Sequence, residues 1–471
     1  MKKILKVLAL VLCFSILTQP VFAVVKQSTR LFGANRYQTA TEIALQYNSG
    51  FVNSVVLVPG SSFANALPAS VLAEKHKAPL LLLDSTAART QEAFTYILSH
   101  LTKIGTIYLV GDKSLIGNDF EAKLNQMGYK NIVRISGEEK YETAFLIAKE
   151  LNAASGTSVV LSSGENFPDA LAVSSFAAAY GWPILLVGET GISPRIKQYI
   201  EEKQPANIYL TGGTTVIHSA LEEELKKIAP NAQVRRFAGS DRYETAIQIA
   251  KEFAPTPSHL YVASGFNFPD ALAGSVLAAK NYAPIILVNP QAASLHSEVK
   301  AYLQTIKRLQ KDVSLTFFGG TAVIPLQLEE LICKESGFIT DDRQSMEDEV
   351  ISLVNKERAA RGLEALVKSE VLANLARLKA QDMAAQGYFG HESPIYGDPN
   401  KMLKSFGVSY QMAGENIASG QTSAEMVMNS WMNSPLHREN ILKQEYLEIG
   451  VGLAKDGNGQ TYWVQLFIRP N

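Results

Sequence analysis

Cysteine is nearly missing from this chain: only Cys13 and Cys333 occur in 471 residues. Cys13 lies in an N-terminal run that reads as a leader. The mature chain then keeps one thiol, which excludes an internal disulfide and a cysteine-rich metal site. An excess of either charge is also missing, with 44 Lys and Arg against 45 Asp and Glu and a formal net charge of −1. Without a bulk basic field, nucleic acid is not an expected partner, and an anionic partner must be met by local clusters. No stretch reaches the roughly 18 consecutive apolar residues that a membrane-spanning helix needs. Neither G-x-G-x-x-G nor G-x-x-x-x-G-K-[ST] follows a strand pattern, so a nucleotide cofactor has no support.

What is there begins with MKKILK, an apolar run from Val7 to Leu17, and Val21-Phe22-Ala23. Charged, apolar and small residues in that order predict a secretory signal over residues 1–23, cleaved after Ala23. Loss of Lys2, Lys3 and Lys6 leaves 41 basic against 45 acidic residues, a net charge of −4. Leu12 before Cys13 argues against a lipoprotein site, which wants a small residue there. An exported chain of this size without disulfides suits the envelope of a Gram-positive bacterium. Its length predicts about three domains.

The chain then repeats itself. Gly60 to Leu83, Ser163 to Val187 and Ser264 to Val288 each read as a turn, an alanine-rich helix and an apolar strand. Phe63, Phe167 and Phe268 keep intervals of 104 and 101 residues, as do Pro79, Pro183 and Pro284. Each copy opens on a related signature: Arg30 to Gly33 with Arg36-Tyr37, Arg134 to Gly137 with Lys140-Tyr141, and Arg236 to Gly239 with Arg242-Tyr243. Helical periodicity follows, as in Ala144, Ile147, Ala148 and Leu151. Short continuous apolar strands alternate with helices, the pattern of a parallel sheet covered on both faces, so each copy should be an α/β layer sandwich. Pro168 and Pro269 fit a first helical turn, and Asp169 and Asp270 sit where the helix dipole favours negative charge. The copies span 27–130, 131–232 and 233–337.

The recurring R-x-x-G-x-x-R-Y-x-T-A, F-P-D-A-L-A and P-I-L-L motifs resemble the clostridial type 2 cell-wall-binding repeat, over about residues 27–337. The resemblance implies a pseudo-threefold anchor that holds an anionic secondary cell-wall polymer non-covalently. It also implicates the P-I-L-L stretch in binding: Pro79, Leu80, Leu81 and Leu82; Pro183, Ile184, Leu185 and Leu186; Pro284, Ile285, Ile286 and Leu287. The copies are uneven, with Asn65 in place of Asp169 and Asp270, and Lys140 in place of Arg36 and Arg242. On the residues alone, P-I-L-L is a core strand.

A polar connector over 338–345 leads to an unrepeated domain over 346–471. Ser345 is a candidate N-cap for a helix through Ala360, and Ser369 caps another running toward Gly387. Ile449 to Leu453 and Tyr462 to Ile468 flank the turn signal Asp456 to Gly459, which predicts a hairpin. His391, Glu415 and His437 lie in separate loops. Two imidazoles and a carboxylate suit either a metal with an open water position or acid–base work. G-H-x-S-P, G-E-N-I, W-M-N-S-P-x-H-R-x-N-I-L and E-I-G-V-G resemble the bacterial branch of the CAP superfamily, which groups cysteine-rich secretory, antigen 5 and pathogenesis-related proteins. That resemblance implies an α-β-α sandwich whose cleft holds two histidines and two acids and, in some members, zinc. His391, Glu415 and His437 match three of the four positions. The fourth acid is missing after Trp431, and Glu425 is a candidate substitute.

The expected protein is a secreted, wall-anchored surface protein, α/β in class, displaying a CAP domain for an unidentified ligand. The rival expectation is a wall-concentrated, metal-dependent hydrolase acting through His391, Glu415 and His437.

Overall fold

The computed structural model describes residues 28–188, 191–309, 313–338 and 343–471. The leader expected over 1–23, and residues 339–342 of the connector expected over 338–345, lie outside the described residues. Three four-stranded parallel sheets fill the repeats. In each, the strand that ends in the turn before the alanine-rich helix, the founding turn of the repeat (strands Val52–Pro59, Val159–Ser163, His259–Ser264), lies between the P-I-L-L strand and the strand that ends in a glycine turn. Their apolar runs are buried on both faces, as the continuous patterning predicts.

The fourth strand of each sheet comes from the next copy. Ile132–Ile135 closes the first sheet, Gln233–Phe237 the second, and Thr29–Leu31 returns from the N-terminal end to close the third, pairing Arg30 with Phe317. The signature that opens each sequence repeat therefore completes the preceding sheet. Sequence repeat and folding unit are offset by one strand, and the ring is closed by chain exchange.

The signature arginine locks each exchange. Arg134 donates to the carbonyls of Gly111 and Ile116 and pairs with Glu121 at 2.9 Å. Arg236 donates to Gly212 and pairs with Glu222 at 2.6 Å. Arg30 does the same with Gly319, Ile324 and Glu329. An arginine fork suits this geometry because it can serve carbonyls and a carboxylate together.

Helices Phe63–Lys75, Pro168–Tyr180 and Pro269–Lys280 pack on one another at the centre of the ring. Alanine-rich and apolar all round, they suit complete burial, whereas the outer helices carry one apolar face. Phe63, Phe167 and Phe268 meet at the N-terminal ends of these helices, with ring centroids 5.7–5.9 Å apart. Residues that served as a ruler in the sequence thus mark the pseudo-threefold axis. Pro168 and Pro269 occupy the first helical position as expected.

In the final domain, a four-stranded sheet runs in the order Val367–Lys368, Glu448–Lys455, Thr461–Pro470, Tyr410–Ser419, antiparallel except for its first, short pair. Helices cover both faces. Trp463 and Phe467 pack with helices Arg343–Ala359 and Ala424–Asn433, while Val464 and Leu466 pack with helix Glu370–Gln386. This period-two partition is what an α-β-α sandwich requires. Ser345 lies inside the first helix, while Ser369 and the left-handed Gly387 bound Glu370–Gln386. A Cβ on Gly450 or Gly452 would collide with the backbone of that helix, which explains the G-x-G of the penultimate strand.

Helix Glu370–Gln386 also faces the first repeat. Arg377 lies over the Phe32 ring at 4.4 Å, Asn374 hydrogen-bonds to Gln38, and Gln381 donates to Glu42 at 3.1 Å. Clefts of about 480 and 600 Å³ run along this junction, and neither is lined by His391, Glu415 or His437.

Candidate functional site

In the final domain, Glu415 sits on the strand Tyr410–Ser419 with its side chain 3% exposed, and its Oε1 accepts from His391 Nδ1 at 2.6 Å. Oε2 is buried without a hydrogen-bond partner. His391, over half exposed, stands on a loop stapled from beneath by helix Glu370–Gln386. Lys379 Nζ donates to the His391 carbonyl at 3.0 Å and to Tyr388 Oη at 2.9 Å, and Ser393 Oγ donates to Asp382 at 2.7 Å. Burial pulls the Lys379 ammonium below its usual range.

The second imidazole comes from helix Pro435–Leu442. Asn416 donates to the His437 carbonyl at 3.0 Å and to Gln465 Oε1 at 3.0 Å, while Asn440 donates to Asn416 Oδ1 at 2.8 Å. These amides tie the helix to the strand that carries Glu415. The hydrogen bond that His391 donates to Glu415 raises its pKa. Burial, and then the charge of His391, lowers that of His437. Two histidines pushed in opposite directions form a potential acid and base.

In the repeats, the second signature residue reaches the founding turn. Arg36 and Arg242 donate to the carbonyls of Gly60 and Gly265 at 2.8 and 2.6 Å, whereas Lys140 pairs with Glu165 at 2.8 Å. The neighbouring tyrosine lies flat against the turn. A Cβ on Gly60, Gly164 or Gly265 would come within 2.6–2.7 Å of the rings of Tyr37, Tyr141 and Tyr243. Burial raises the carboxyl of Asp169, with Thr245 and Arg242 of the next copy partly offsetting it, and Arg36 acts in the same way on Asp270. Asn65 occupies the matching position in the first copy, facing helix Lys140–Leu151. The two departures from the repeat pattern therefore fall at one junction.

The cell wall binding domain 2 model matches residues 30–121, 134–222 and 236–329, more than half of the chain. This protein belongs to the cell wall binding domain 2 family. Its final domain, over residues 351–467, matches the cysteine-rich secretory protein family, or CAP, model. The repeats are similar to N-acetylmuramoyl-L-alanine amidase LytC of Bacillus subtilis, 33% identical over 62% of this chain and 57% of that protein. The CAP domain is similar to the uncharacterized protein YkwD of the same organism, 49% identical over 26% of this chain and 46% of that one. The chain thus spans about half the length of these relatives. Among solved structures, Cwp8 from Clostridium difficile aligns with a TM-score of 0.60 and 25% identity, over 67% of this chain and 52% of that one.

Within this framework, the P-I-L-L residues of all three wall-binding repeats are buried. They form the core strands Leu80–Leu83, Ile184–Val187 and Ile285–Val288 and lead into the turns that follow. In the CAP domain, His391 and Glu415 are in direct contact, and His437 is close enough for the charge of His391 to act on it. Glu425 is elsewhere, engaged with Ser423 and Glu349. Among the described residues, no group of three His, Cys, Asp or Glu side chains is positioned to hold a metal ion. With Glu415 committed to His391 as an orienting carboxylate, the donors as placed do not complete a zinc centre. Sequence reasoning missed Lys379, Asn416, Asn440 and Gln465. The asparagines lie within G-E-N-I and W-M-N-S-P-x-H-R-x-N-I-L, whereas Lys379 stands out only as a buried lysine on its helix.

Proposed function

We propose that the three repeats hold this protein non-covalently on an anionic wall polymer, so that it displays its CAP domain at the cell surface as a ligand-binding module. One observation carries the reading: the repeats close on themselves as a complete ring, leaving the single CAP domain as the differing element. The wall-related relatives support it. The test is sedimentation of the full-length protein with purified bacterial walls. Retention on intact walls and loss after acid removal of their secondary polymer are expected; equal retention on stripped walls would overturn polymer anchoring.

A second reading is a hydrolase, supported by the His391–Glu415 hydrogen bond. With Nδ1 held by Glu415, His391 presents Nε2 as its proton-exchanging atom. His437, kept neutral, is suited to take the complementary proton. Zinc titration of the full chain against a His391→Ala, His437→Ala variant addresses the metal-dependent form. Equal, weak binding by both proteins would remove it.

A further inference from the structure

At the end of the ring opposite the Phe63, Phe167 and Phe268 cluster, the second and third copies together carry an array of exposed aromatic rings. Tyr180 stacks on Trp182 with centroids 4.8 Å apart and planes at 22°, and the Tyr282 ring meets Tyr180 at 5.9 Å from the neighbouring repeat. Trp182 continues inward to Tyr209 and Phe253 at 4.9 and 5.3 Å, which fixes its ring. At the position of Trp182 the other copies have Ala78 and Ala283, and at that of Tyr180 they have His76 and Asn281. The inner rings are explained by packing. The outer pair is not, since Tyr180 is 46% and Tyr282 60% exposed.

Tyr282 also adopts a left-handed backbone, φ +49°, where the second copy has Gly181. Lys77 holds the same left-handed φ at the matching position of the first copy, so the conformation belongs to the helix-ending turn of the repeat, and what is particular to Tyr282 is the exposed ring it carries there. The nearby lysines are engaged: Lys280 donates to the Tyr47 carbonyl at 2.6 Å, Lys75 to the Glu150 carbonyl at 2.6 Å, and Lys77 pairs with Glu74. The three rings carry no charge of their own, and the tyrosines place polar hydroxyls at the edge of the platform. Flat rings of this kind complement the C–H face of a pyranose while their hydroxyls meet its rim.

We propose that Tyr180, Trp182 and Tyr282 form a stacking platform for uncharged sugar rings of a wall glycan. This deepens the anchoring reading and rests on it for the identity of the glycan.

Trp182 supplies its own probe, because the other two tryptophans, Trp431 and Trp463, are 1% and 0% exposed. Full-length protein is titrated with polysaccharide released by mild acid from bacterial walls, following tryptophan emission and its quenching by acrylamide. Saturable protection is expected for the wild type. Tyr180→Ala with Tyr282→Ala should weaken it about tenfold or more, and the paired Phe substitutions should retain it. Tyr282→Gly should leave the melting temperature unchanged or higher, because it relieves the left-handed strain, while still weakening binding. Absence of protection in the wild type, equal affinity in the paired Ala variant, or protection by phosphatidylcholine vesicles but not by glycan would overturn the platform. Wall sedimentation of the same proteins separates the two proposals. A wild type that responds to glycan but does not sediment defeats anchoring alone. Sedimentation without a Trp182 response defeats the platform alone.

Discussion

In the repeat ring, the signature arginines use their charge to join one copy to the next; in the CAP domain, a comparably buried carboxylate is left partly unsatisfied. Arg30 and Glu329 are 1% and 0% exposed and clamp the N-terminal strand to the third sheet. Glu415 is almost as buried, yet only one oxygen is bonded and its partner His391 faces solvent. A clamp pairs its groups with carbonyls and a carboxylate in fixed positions. A site keeps unused bonding capacity next to an exposed group. The difference teaches that burial of charge alone does not identify function, and neither does a leftover bonding atom, since Nη2 of Arg134 and of Arg236 in the clamps is also buried without a partner among the described residues; what sets Glu415 apart is its exposed, titratable partner.

The strongest way to break this comparison is Arg30→Met. It strands Glu329 in the interior and should cost about 3–5 kcal/mol in denaturant unfolding. Arg236→Met, at a junction where the same pair is part-exposed, should cost less. Equal losses would show that burial does not set the strength of the clamp.

Next in size is Asp270, whose carboxyl is pushed up to about 6 by burial, with Arg36 only partly offsetting this. The folded state therefore holds a proton that the unfolded chain releases near pH 4. Its contribution to stability is full below about pH 4 and is lost as pH rises through about 6. Asp270→Asn, which imitates Asn65 of the first copy, should stabilise the protein at pH 7 by up to about 3 kcal/mol. That advantage should vanish below about pH 4, as thermal unfolding across pH would show.

Gly265→Ala tests the founding turn. The added Cβ meets the Tyr243 ring at 2.6 Å and should cost about 1–3 kcal/mol. No loss would mean that the tyrosine can yield.

The smallest effect is expected at the CAP site. His391→Ala should cost about 1 kcal/mol: Glu415 is buried, but its partner is over half exposed, so water can take the place of the lost imidazole. Because Glu415 raises its pKa, the contribution of the pair is full below about pH 6.5 and fades as pH rises through the raised value. A stability loss as large as that of Arg30→Met would mark His391 as a structural clamp instead of an available group.

Much of the repeat architecture is legible because its causes are local. Proline at the start of a helix, glycine against a tyrosine and unbroken apolar strands each state their geometry over a few residues. The helix dipole was also legible as a reason for acids at Asp169 and Asp270, but burial outweighs it and raises both carboxyls. Likewise, Ser345 had the chemistry of a cap, yet the observed helix begins before it at Arg343. The CAP motifs located His391, Glu415 and His437, while Asn416, Asn440 and Gln465 became meaningful only when three elements met.

By itself, the sequence determined the threefold copying, the alternation of strand and helix and the change of domain, because periodicity and turn chemistry act within one element. Only the tertiary structure decided that each signature strand completes the preceding sheet, that Phe63, Phe167 and Phe268 share an axis, and that Glu415 commits to His391 while Glu425 does not. Those outcomes depend on burial and on hydrogen bonds between distant segments. Desolvation there decides which charges are clamped and which remain available.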